Sequence, residues 1–128
     1  MNYYYSKKIK GTMDELVEQI TEGLKKEGFG ILSDINIKDL FKEKINVEFR
    51  PYRILGACNP VFSNKAITAE ERAGLMLPCN FVVQEMGDGL VDVSVVDPVA
   101  SMTAIDNDEL KETAAQIKAK LIFVVDGL

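Results

Sequence analysis

The chain has 128 residues, 47% of them apolar, which suits one domain with a core that needs no disulfide or metal staple. Its net charge of -5 argues against a general nucleic-acid or anionic-membrane binder, because such surfaces are held mainly by Lys and Arg. It contains no histidine, so the usual general base near neutral pH is missing, and Ser-His or Cys-His catalysis within one chain goes with it.

No stretch approaches the roughly 20 apolar residues of a membrane span. The opening Met1-Asn2-Tyr3-Tyr4-Tyr5-Ser6-Lys7-Lys8 has no cationic segment followed by an apolar one. A cytoplasmic protein is therefore expected, with its two cysteines as reduced thiols. Neither a C-x-x-C pair nor a clustered ligand set is present, so neither a metal nor a cofactor is expected.

Tyr3 to Ile9 is aromatic and β-branched enough for a first strand, ended by Gly11-Thr12. Thr12 and Glu15 match a capping box, and Met13, Leu16, Val17, Ile20 and Leu24 recur on one helical face. Gly28 is placed to end that helix in a left-handed turn. Phe29 to Ile35 reads as a second strand, followed by a short helix with Asn36 as its cap and Ile37, Leu40 and Phe41 on one side. Val47 to Ala57 reads as a third strand, in which Pro51 cannot donate to a ladder and marks an edge or bulge. Asn59-Pro60 then opens a helix to about Ile67, since asparagine caps exposed amides and proline at the first position loses none.

Leu75 to Met86 and Leu90 to Val96 read as antiparallel strands around Gly87-Asp88-Gly89. Setting Met86 opposite Leu90 puts Phe81, Val83, Val91, Val93 and Val95 on one face and Gln84, Asp92 and Ser94 on the other. The same register carries Cys79 to the core side across from Asp97. A last helix begins at Asp106, with Glu109 completing a capping box and Ile105 and Leu110 a hydrophobic staple. Its stripe is Leu110, Ala114, Ile117 and Leu121, and the β-branched run Ile122-Phe123-Val124-Val125 favours a terminal strand or extended tail. No repeat or linker divides residues 1–128. The expected fold class is α+β: a two-layer sandwich with an antiparallel or mixed sheet and two longer helices and one short helix on one face.

Two cysteine–asparagine motifs stand out. The runs Phe49-Arg50-Pro51-Tyr52-Arg53-Ile54-Leu55-Gly56-Ala57-Cys58-Asn59-Pro60 and Gly74-Leu75-Met76-Leu77-Pro78-Cys79-Asn80-Phe81-Val82-Val83, followed by Asp97-Pro98, resemble the bacterial and archaeal family called domain of unknown function 302. The resemblance spans nearly the whole chain. It implies a compact two-layer α/β fold, often dimeric, and supplies no catalytic residues. A departure falls on Ser63 to Ala73, where the family continues its helix with an alanine- and leucine-rich run. Here the more polar Thr68-Ala69-Glu70-Glu71-Arg72 leaves the helix length open.

Cys58 precedes a helix amino terminus, where unpaired amides and the dipole favour a thiolate, although a strand-end cysteine is as well explained as a small buried apolar residue. Cys79 points inward by strand parity, and a nearby Asp97 would raise its pKa. Arg50 and Arg53 flank Tyr52 and could hold a carboxylate or phosphate, or pair with neighbours such as Glu48. Asn59 and Asn80 could orient a ligand, with capping as the plainer role of Asn59. Tyr3, Tyr4 and Tyr5 suit stacked rings, a second subunit or a half-buried strand.

Three functions compete. The first is a non-enzymatic, homodimeric module that holds a small ligand between the two motifs, with Arg53, Cys58, Asn59, Cys79 and Asn80 as candidate contacts. The second is a thiol-dependent redox or detoxifying protein, with Cys58 as nucleophile and Cys79 as resolving partner. The third is an assembly adaptor that pairs through a sheet edge. The binding module is preferred, because the motifs combine Gly, Asn and Pro with apolar flanks and no acid–base pair stands out.

Overall fold

Alternating side chains and turn residues generate five strands in the computed structural model, which describes residues 2–128. They are β1 (Tyr4–Lys10), β2 (Gly30–Asn36), β3 (Tyr52–Cys58), β4 (Cys79–Gly87) and β5 (Leu90–Val96). The sheet order is β1-β5-β4-β3-β2, and every neighbouring pair is antiparallel. Between and after the strands lie α1 (Met13–Lys26), α2 (Ile37–Ile45), α3 (Pro60–Ala69), a 3-10 turn at Ala73–Met76, α4 (Pro98–Ser101) and α5 (Asp108–Asp126). The antiparallel form of the expected α+β sandwich is the one realised.

The register follows from the β4–β5 hairpin. Phe81 faces Val95, Val83 faces Val93 and Glu85 faces Val91, as the alternation requires. At the tip a bulge sets Gly87, rather than Met86, opposite Leu90. Asp88 and Gly89 then close a two-residue turn with φ of 56° and 72°, the positive pair that matches strand twist. Phe81, Val83, Val91, Val93, Val95 and Leu55 thus share one face, where they pack against Leu16, Ile20 and Leu24 of α1 and Leu121 and Val124 of α5. Each such side chain taken from water contributes about 1.5–3 kcal/mol. The opposite face of the sheet carries Ser6, Lys8, Gln84, Asp92 and Ser94 and joins no core cluster.

The capping residues act as their chemistry demands, with one displacement. Thr12 accepts from the Glu15 amide, and Gly28, at φ 84°, turns the chain out of α1. Asn36 accepts from the Asp39 amide, so the short helix forms, yet none of its side chains is buried. The cap of α5 is Asn107, not Asp106: its side chain accepts from the Leu110 amide at 3.0 Å. The run Ile122 to Val125 is helical rather than extended, because Val124 and Val125 continue the buried stripe of Leu121. The third strand starts after Pro51 instead of at Val47. α3 runs to Ala69, and Gly74 lies inside the 3-10 turn. Asp97-Pro98 begins the unforeseen α4, with Asp97 accepting from the Val99 and Ala100 amides.

Candidate functional site

The two motifs meet because β3 and β4 are neighbours. Ala57 pairs with Cys79 and Gly56 with Asn80. Gly56 leaves room for the other motif's proline: a Cβ there would stand 2.7 Å from Pro78 Cγ and would also strike Ser33 Oγ. The side chains of Ser33 and Pro78 fill the space a Cβ would take, and this, not any turn, is what favours a glycine at 56. The motifs therefore interlock as packing surfaces.

Their thiols differ in burial. Cys79 lies directly across from Ala57, in the helix-covered core at 4% exposure. Cys58, one residue further along at the end of β3, sets its Sγ 3.5 Å from Ser63 Oγ of α3. Both are free thiols. Burial, helped by the neighbouring Cys58, pushes the Cys79 thiol up to about 11. Asp97 does not cause this shift: its carboxylate caps α4 and meets Lys118 Nζ at 2.9 Å.

Arg53 does hold a carboxylate, but one from its own chain. Its guanidinium forks onto Asp34 of β2 through Nε, at 3.1 Å, and Nη2. Nη1 reaches Asp14 of α1 at 3.3 Å. The Asp34 hydrogen bond, with both carboxylates adding charge, raises the Arg53 pKa despite partial burial. Arg50 donates to Gln84 Oε1 at 2.9 Å and lies over the Phe49 ring at 4.5 Å, while Glu48 pairs with Lys42 instead. Asn59 is engaged as the cap of α3, accepting from Val61 and Phe62. Asn80 is exposed on the uncovered sheet face, with no side-chain hydrogen bond among the described residues.

Neither Cys58, Cys79 nor Arg53 lines a hollow of note. Asn59 borders a recess of about 300 Å³ between α3 and α5, with Lys65 and Lys120 nearby. Asn80 lies in a shallow trough of about 690 Å³ on the uncovered sheet face, among Tyr3, Tyr4, Lys8, Tyr52 and Gln84. A third hollow, about 640 Å³, runs between α1 and α5 beside the exposed Phe123. Among the described residues no group of three or more Cys, Asp or Glu could hold a metal ion, and no helix is long and apolar enough to cross a membrane. Tyr52, Gln84 and Lys8 escaped selection as site residues. The signal for them was the polar alternation of β4 and β5, which marks a face without a covering layer.

A family model described as domain of unknown function DUF302 matches residues 5–128. The chain belongs to the DUF302 family. A crystal structure of an uncharacterized conserved DUF302 protein from Bacillus stearothermophilus superposes with a TM-score of 0.89 at 28% identity, covering 98% of each chain. No curated protein matches. Within this DUF302 domain the two motifs thus have a structural account: Gly56 admits Pro78, Ala57 lies against Cys79, and Asn59 and Asp97 start helices.

Proposed function

We propose that this DUF302 domain is a non-catalytic, homodimeric binding module that takes a small, polar, ring-bearing molecule on the uncovered face of its sheet. The observation that carries this reading is the trough around Asn80. Its volume of about 690 Å³ lies within the roughly 300–1,000 Å³ usual for small-molecule sites. Tyr3, Tyr4 and Tyr52 offer ring faces and edges, and Lys8, Asn80 and Gln84 supply polar heads that fix orientation. The Asn80 carboxamide has no hydrogen-bond partner among the described residues, so a ligand would meet it without competition from them.

The thiol-dependent alternative has less support. It needs two reactive sulfurs, while Cys79 is buried in the core and holds its proton at neutral pH. Among the predicted contacts, Arg53 and Asn59 serve in this reading to brace the sheet and start α3, and Asn80 remains the contact.

A thermal-shift and NMR fragment screen tests the proposal. Hits should shift resonances of Tyr52, Asn80 and Gln84, and Asn80→Ala should weaken them about three- to tenfold, the worth of one hydrogen bond. Hits that bind Asn80→Ala and Tyr52→Ala as tightly as the unaltered protein would remove the trough from consideration.

A further inference from the structure

The segment from Leu32 to Ile54 contributes no residue to either core cluster, although it includes all of α2 and most of edge strand β2. A nine-residue helix is too short to persist on propensity in water, where about 12–15 residues are marginal, so its ordering calls for a packed apolar side. Part of that support is local. Phe41, Phe49 and Tyr52 stack edge to face at 5.1 and 6.1 Å, and Lys38 Nζ donates to the Phe49 carbonyl at 2.9 Å. Ile37 and Ile54 are half-buried, but other apolar side chains of the segment stay open: Leu32 is 71% exposed and Ile45 63%, and Ile35, Leu40 and Val47 are exposed as well. Patches of this kind mark association surfaces.

We infer that this arm, α2 with the β2 edge, is the surface on which a second copy of the chain docks. The inference rests on the homodimeric part of the reading above and names its interface. Charge selects the occupant. The chain as a whole carries -5, which resists self-association, but residues 30–50 hold four cations and four carboxylates and are electrically neutral. Lys42 and Lys44 of α2 pair with Glu48 and Glu43 of the same chain, and exposed pairs of this kind are weak enough to exchange across a twofold axis that sets lysine against glutamate in both directions at once. Among the described residues β2 pairs with β3 alone, and beyond the irregularity between Ile31 and Ser33 its outer edge is of the antiparallel kind that can pair with itself about such an axis.

Sedimentation velocity and light scattering over a concentration series test the inference on the full chain. Wild-type protein should be a dimer. Leu32→Asp and Ile45→Asp, both at exposed positions, should each raise the dimer Kd by about 30-fold or more with unchanged circular dichroism. Leu75→Asp, at a position 80% exposed on the 3-10 turn, should leave the Kd unchanged. Hydrogen exchange of wild-type protein gives a readout without substitution: amides 37–50 should slow as concentration passes through the Kd. A wild-type monomer throughout the series would overturn both the dimer and its interface. A dimer that ignores both arm variants, or whose added protection falls on the Asn80 face, would overturn the arm alone and leave the dimeric reading standing.

Discussion

At Cys79, removal from water favours the neutral thiol and raises its pKa to about 11, whereas Cys58 is only half-buried, with its sulfur beside Ser63. An alkylating reagent at neutral pH should therefore modify Cys58 in the native protein and reach Cys79 only after denaturation. Mass spectrometry showing both sites labelled natively at similar rates would refute this. The same shift affects stability in a definite direction. Above the unfolded thiol's pKa, near 9.0, the unfolded chain loses a proton that the folded chain retains, so stability falls as pH rises from there to about 11. Cys79→Ala should flatten that part of the alkaline profile. Strand parity alone was enough to send Cys79 inward. The seating of Pro78 over Gly56 was not legible, because it depends on two strands being neighbours.

Among the elements, α5 shows where local pattern and backbone geometry diverge. Asp106 with Glu109 satisfies a capping box, yet Asn107 has the extended backbone of a cap and the bond to Leu110. Asn107→Ala should therefore cost about 0.5–2 kcal/mol in urea denaturation. Asp106→Ala, which loses only an exposed contact to Lys111 at 3.9 Å, should stay within about 0.5 kcal/mol. The reverse ranking would show that the helix begins one residue earlier. Ile122 to Val125 misled for a related reason: β-branching prefers strands, but burial of Val124 and Val125 against the sheet outweighs a weak intrinsic preference. The paired strands and α1 were legible because alternation, caps and turn glycines agree there. α2 was legible as a helix through Asn36, but its lack of a buried face was not.

Taken as a whole, the molecule ties its layers together through a few polar bridges at the rim. Asp97, 6% exposed at the end of β5, joins Lys118 of α5 and caps α4. Arg53 links β3, β2 and the start of α1. Asp97→Ala removes the ion pair and leaves two helix amides uncapped, so a loss of about 3 kcal/mol is expected, with an unchanged denaturant slope. A loss below about 1 kcal/mol would mean that solvent replaces the carboxylate at both partners. The two-layer plan was readable from periodicity, but the trough was not, because it forms only when Tyr3 and Tyr4 are brought beside β5 and Tyr52 beside Gln84.

The strand order has a consequence for the chain's birth. Among the described residues β1 pairs with β5 alone, and Tyr5 and Lys7 bond to residues at the far end of α5, so β1, once it leaves a ribosome, can find its neighbour only after about 80 further residues have emerged. Until then α1, already able to coil, carries an apolar stripe with an unfinished sheet to cover. Closure of this long loop, rather than formation of any local hairpin, should set the pace of folding.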